Sequence, residues 1–173
     1  MHSTRDTAIV VLSHLRWDFV YQRPQHVLSR LAKRRRVLFV EEPVFRDSVP
    51  GWERIDAHPN VTVCRCHTPI ADTGFTEDQI ACLKPLIRRM IEQEGLQKHL
   101  LWFYTPQPLA IAEVLRPQAI VYDCMDELSA FLNAPPQLVR REEELLHLAD
   151  LVFTGGPSLY RSKQKRNPRV YCF

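Results

Sequence analysis

The chain has 173 residues, 45% of them hydrophobic, enough for one domain with a sizeable core. Its 23 Lys and Arg against 20 Asp and Glu leave a formal charge of only +3, which speaks against a nucleic-acid-binding protein. No apolar run nears the roughly 18 residues of a membrane span, and an odd set of five cysteines fits buried free thiols in a reducing compartment better than a disulfide framework.

Met1 to Thr7 lacks the long apolar core of a signal peptide, so the expectation is a soluble, cytoplasmic protein. Short β-branched or aromatic runs then alternate with helical patterns. The strand-like runs are Ala8 to Ser13, Val37 to Glu41, Val61 to Cys66, Leu100 to Tyr104, Ala119 to Asp123, Leu151 to Thr154 and a closing Arg169 to Phe173. Interleaving of this kind means an α/β fold: a doubly wound, mainly parallel, Rossmann-like sheet of six to seven strands with helices on both faces.

The first crossover helix is expected over Pro24 to Arg35, with Val27, Leu28 and Leu31 on its inner face. The basic run Lys33-Arg34-Arg35-Arg36 at its end either complements the helix dipole and faces water or meets an anionic membrane surface or nucleic acid. Val44 to Asn60 shows no clear period and reads as a long excursion. In Cys64-Arg65-Cys66-His67 strand alternation sets both thiols on one face and the imidazole on the other, and no second ligand pair follows at zinc-like spacing, so no metal is expected.

Thr76-Glu77-Asp78-Gln79 reads as a capping box and Gly95 as a stop. Between them run Ile80, Leu83, Leu86, Ile87, Met90 and Ile91, with a kink expected at Pro85. Pro106 to Leu115, Pro136 to Leu148 and a segment from Gly156 complete the helices.

Ligands of open parallel sheets bind beyond the carboxyl ends of the strands, where the winding reverses. Here that point falls between the first and fourth runs. The loop after Ser13 has no glycine where a phosphate-binding turn would carry several, and offers His14, Arg16, Trp17, Asp18, Arg23 and Gln25 instead. Facing it are Thr105 and Gln107. The fifth run adds Asp123, Asp126 and Glu127, and the sixth adds Gly155, Gly156 and Ser158. Carboxylates, amides and aromatic faces gathered at one sheet edge suit a polyhydroxylated ligand.

Each residue also has a plainer reading. His14 either bonds its own turn or serves as a base or ligand. Trp17 and Phe19 either staple the helix or form a platform for a sugar ring. Arg23 orders the loop through Asp18 or binds an anion, and Asp123, Asp126 and Glu127 are a tuned cluster or simple caps.

Ser13 to Asp18 with Gln22-Arg23-Pro24-Gln25-His26, the Val40-Glu41-Glu42-Pro43 strand end, Tyr122 to Leu128, and Thr154-Gly155-Gly156-Pro157-Ser158-Leu159-Tyr160 together resemble the N-terminal half of bacterial GT-B glycosyltransferases. The resemblance is to the group-1-like enzymes of cell-surface polysaccharide and teichuronic acid biosynthesis. It implies that residues 1–173 are a single Rossmann-like domain, the acceptor-side half of a two-domain enzyme. The C-terminal domain would hold the nucleotide-sugar donor, with no cofactor in this half and a glycan or lipid-linked acceptor as partner.

It further implies His14 and Asp126 as catalytic, and Arg16, Trp17, Asp18, Arg23, Gln25, Thr105, Gln107, Asp123 and Glu127 as substrate-binding. Gly155, Gly156 and Ser158 would face the interdomain opening. An isolated half would be inactive, and peripheral contact with the inner face of the cell membrane would be consistent with it. The competing classes are a non-catalytic Rossmann-like docking module and a small hydrolase, the latter disfavoured by the lack of a nucleophile elbow.

Overall fold

The computed structural model describes residues 7–127 and 136–173. Met1 to Asp6, part of the leader reading, and Leu128, the last residue of one motif, lie outside them.

The strands are β1 (Ala8–Ser13), β2 (Val37–Phe45), β3 (Gly51–His58), β4 (Val61–Thr68), β5 (His99–Phe103), β6 (Ala119–Cys124), β7 (Leu151–Thr154) and β8 (Val170–Cys172). The α-helices are α1 (Arg23–Leu31), α2 (Glu77–Gln93), α3 (Ala112–Leu115), α4 (Pro136–Leu148) and α5 (Pro157–Lys163). A 3₁₀ turn over Gln107–Ile111 leads into α3, so the segment expected as one helix is two short pieces.

All eight strands form one sheet in the order β3-β4-β2-β1-β5-β6-β7-β8, parallel except for the β3–β4 pair. The winding runs outward from β1 through β2 to β4 and then returns to β5 beside β1. The reversal therefore falls between β1 and β5, as the strand pattern implies.

Strand alternation divides the core in two. Ile9 and Val11 of β1 pack with Leu28 and Ala32 on one face; Ala8, Val10 and Leu12 pack with α2, the 3₁₀ turn and α4 on the other. The first face is served by α1 alone among the described helices. Cys64 and Cys66 both enter the α2 face, where burial drives the Cys64 thiol up to about 12 and Cys66 higher still, so both stay protonated and inert.

The eighth strand, one more than the expected six to seven, comes from the stretch that reads as an excursion. β2 runs on to Phe45, and Gly51–His58 folds back antiparallel on β4 through a turn in which Asn60 takes the left-handed conformation, φ 64°. Gly51 lies close under the His67 ring: a Cβ at this position would sit 2.8 Å from it, so a side chain there would make the imidazole shift.

Helix α2 ends as Gly95 predicts. Leu96 N–H donates to Ile91 O and Gly95 N–H to Glu92 O, with Gly95 at φ 67°, which is a Schellman close. Its start is only half a capping box. Thr76 accepts from the Gln79 N–H, while the Gln79 side chain turns instead to Thr68 Oγ1 and the carbonyls of Ile70 and Asp72. The helix continues through Pro85.

Candidate functional site

The β1–α1 loop has no glycine because side chains hold it. The fully buried Glu41 carboxylate, at the end of β2, accepts from Trp17 N–H (2.8 Å), Arg16 (3.1 Å) and Arg65 Nε (2.8 Å). Arg65 reaches on to Asp18 at 3.2 Å, and Arg16 also donates to Glu42 O at 2.6 Å. Buried Gln25 closes the other side, donating to Trp17 O at 2.7 Å and accepting from Gln22 N–H at 3.1 Å. Trp17 rests edge-on against Phe39 at 5.2 Å.

Arg16, Trp17 and Gln25 are thus engaged in shaping the loop, while Asp18 is exposed at its tip. Sequence reasoning passed over Glu41 as a site residue. The available signal was a carboxylate ending an apolar strand, opposite Arg65 in the parallel register.

Beneath this loop, at the β1–β5–β6 edge, lies a compact polar group. Arg23, the first residue of α1, donates from Nε to Asp123 Oδ1 at 2.8 Å, so it joins β6 rather than Asp18. Asp123 is 1% exposed. Burial raises the pKa of its carboxyl despite the opposing Arg23 charge.

Trp102, Tyr104 and Asp123 lie close together: burial and then Asp123 raise the Tyr104 pKa, and Tyr104 and Trp102 act to lower that of Asp123, although Trp102 Nε1, Tyr104 Oη and Asp123 Oδ2 do not reach full hydrogen-bond geometry among the described residues. Buried polar atoms with spare bonding capacity are what a hydroxyl-rich ligand would satisfy.

His14 stands at the end of β1, half-buried. Burial lowers its pKa, while the Asp126 carboxylate and the Tyr104 backbone carbonyl act to raise it. The two residues expected as catalytic therefore come within electrostatic reach of each other across the strand ends. Asp126 is exposed and leaves the His14 Nδ1 without a hydrogen bond among the described residues. Neutral imidazole is the form that accepts a proton.

The remaining candidates spread outward from this edge. Thr105 is buried beside Tyr104, and the Gln107 carbonyl accepts from Arg141, which also pairs with Glu77. Glu127 pairs with Lys163, a fully buried cation that also meets Glu142 at 2.9 Å; Glu142 in turn accepts from Tyr122 Oη at 2.8 Å. Gly155 packs against the Met125 carbonyl, where a Cβ would sit at 3.2 Å, whereas Gly156 meets nothing within 4 Å. Ser158 is exposed on α5. Neither Lys163 nor Glu142 carries a motif that would single it out in sequence.

Among the described residues no cluster of His, Cys, Asp and Glu could hold a metal ion, and no helix is long and apolar enough to cross a membrane.

The fold is a mainly parallel, Rossmann-like α/β sheet of the kind seen in the domains of GT-B glycosyltransferases. Sucrose-phosphate synthase from Thermosynechococcus elongatus superposes with a TM-score of 0.72 at 10% identity, over 96% of this chain and 47% of that one. The E. coli trehalose-6-phosphate protein bound with UDP-2-fluoro glucose gives 0.53 at 13% identity, covering 88% and 40%. The catalytic domain of starch synthase IV from Arabidopsis thaliana, bound to ADP and acarbose, gives 0.52 at 8%, covering 96% and 51%.

The chain thus spans about half the length of the structures it matches. No family model and no curated protein sequence matches it.

Proposed function

We propose that this chain is the acceptor-binding half of a glycosyltransferase, acting with a second domain that holds a nucleotide-sugar. The acceptor would be a cell-surface glycan or a lipid-linked saccharide. The observation that carries this reading is the placement of His14 at the end of β1, at the reversal point of a GT-B-like sheet, with the Asp126 carboxylate within electrostatic reach.

In this reading His14 takes the proton from an acceptor hydroxyl as that oxygen attacks the anomeric carbon. The bond to the nucleotide phosphate breaks, and its electrons leave with the phosphate. Asp126 stabilises the imidazolium that forms, and Asp123, Tyr104 and Trp102 orient the sugar hydroxyls. This assignment makes His14 the base of an inverting transfer.

The alternative, a docking module with no chemistry, is separated by titration. Saccharides and nucleotide-sugars are added separately to this chain while the His14 ring resonances are followed by NMR. The proposed reading expects saccharides to shift those resonances and nucleotide-sugars to bind weakly. Tight nucleotide-sugar binding by this chain alone would contradict the acceptor-side assignment; saccharides that leave His14 unmoved at saturating concentration would favour the docking module.

A further inference from the structure

Lysine is seldom fully buried unless it is paired, and Lys163, the last residue of α5, is 0% exposed. Its ammonium donates to two carboxylates, Glu142 of α4 at 2.9 Å and Glu127 in the segment after β6. Burial acts to lower the Lys163 pKa, but the bonds to Glu127 and Glu142 outweigh it and the pKa is raised, so the ammonium stays charged.

The groups gathered around this cation are not equivalent. Glu142 and Tyr122, which bond each other, are buried within α4 and β6, elements that packing already holds. Glu127 lies beyond the end of β6 with its side chain 32% exposed, and it follows Asp126 directly in sequence. The other side of Asp126 is held too: Cys124 Sγ donates to Asp126 O at 3.4 Å, and Gly155 N–H donates to Cys124 O at 3.1 Å. Residues 124–127 are therefore fixed at both ends, by the turn after β7 on one side and by Lys163 on the other.

We propose that Lys163 is a positioning residue: through Glu127 it fixes the chain beyond β6 so that the Asp126 carboxylate stays within reach of His14. A buried ion pair adds little net stability over well-packed apolar side chains, so what it contributes here is direction. Asp126 is itself exposed, and its placement is set through the backbone on either side of it. Lys163 does not act on the imidazole directly. Among the described residues, the groups that raise the His14 pKa are the Asp126 carboxylate and the Tyr104 carbonyl. The inference rests on His14 and Asp126 as the working pair of the proposed function, but it is read without a transfer reaction.

The test is the His14 titration, followed through the ring resonances by NMR in this chain and in Lys163→Met. The sign of the change separates the roles. Removing the field of a cation alone would raise the His14 midpoint, and a Lys163 that serves only the core would leave it unmoved; a displaced Asp126 lowers it. The expected result is a fall of about half or more of that produced by Asp126→Asn, and no further fall when Lys163→Met is added to Asp126→Asn.

Because Lys163→Met strands Glu142 without its cation, the measurement is repeated in Lys163→Met/Glu142→Gln, which removes both charges together and should show the same fall. With folding of that variant verified by circular dichroism, an unmoved or raised midpoint there, beside a lowered one in Asp126→Asn, would overturn the inference and leave the pairing of His14 with Asp126 intact. A fall that persists undiminished in the Asp126→Asn background would overturn it as well, since Lys163 would then act by another route. An Asp126→Asn midpoint equal to that of the unaltered chain would remove the pairing itself, and the inference with it.

Discussion

At His14 burial and charge pull in opposite directions, and burial wins. The folded protein therefore releases its His14 proton at lower pH than the unfolded chain does. Stability from this group is present above the unfolded value of 6.5 and is lost as pH falls from there through the lowered folded value. An NMR titration of the ring should give a midpoint below 6.5, and Asp126→Asn should lower it further by removing the carboxylate that raises it. A midpoint that rises in Asp126→Asn would mean the two groups do not face each other in solution. Glu41 offers a second residue-scale check. Glu41→Gln takes the charge from a fully buried acceptor of one backbone N–H and two guanidiniums, and should cost ~2–4 kcal/mol in urea unfolding. A loss under ~0.5 kcal/mol would show that the loop does not depend on it.

At the scale of elements, the central parallel strands β1, β2 and β5 were legible because each is largely buried on both faces and reads as an apolar run bounded by polar loop residues. Strand β3 was not, for a physical reason: it lies at the sheet edge, Glu53 to His58 are exposed on both faces, and its sequence carries no alternation. Pro59-Asn60 was the one local sign of a hairpin there. The candidate site was legible in the same uneven way. Its position followed from strand order, and His14 and Asp126 followed from residue type at strand ends. That Gln25 and Arg16 serve the loop depended on side-chain bonds to Trp17 O and Glu41, and that Arg23 reaches Asp123 depended on packing between segments 100 residues apart. The edge hairpin is open to a direct test. Gly51→Ala would push a methyl group into the His67 ring and should cost about 1 kcal/mol, while the same change in a His67→Ala background should cost almost nothing. Equal costs in both backgrounds would remove steric contact as the reason for glycine.

For the whole molecule, the bond that ties the two windings together at the crevice is the one from Arg23 to Asp123. Arg23 opens the helix of the first winding, Asp123 ends a strand of the second, and the other guanidinium arm reaches Phe173 O at 3.4 Å, just past β8. Three segments far apart in sequence therefore converge on one side chain, with its side-chain exposure at 21% and that of its partner at 1%. Arg23→Ala should destabilise the chain by ~2 kcal/mol at neutral pH, because the carboxylate left behind is buried with less to compensate it. The dependence on pH distinguishes this from a simple loss of packing. Burial already raises the folded pKa of Asp123, and without Arg23 it rises further. A raised folded value contributes stability that is complete below the unfolded pKa, about 3.9, and is lost as pH climbs through the folded one. The gap between wild type and Arg23→Ala should accordingly narrow as pH falls from 7 toward the unfolded value of about 3.9, measured by urea unfolding at each pH. A gap that is constant with pH would assign Arg23 to packing alone, and one that widens on acidification would mean that Asp123 is not the group it compensates.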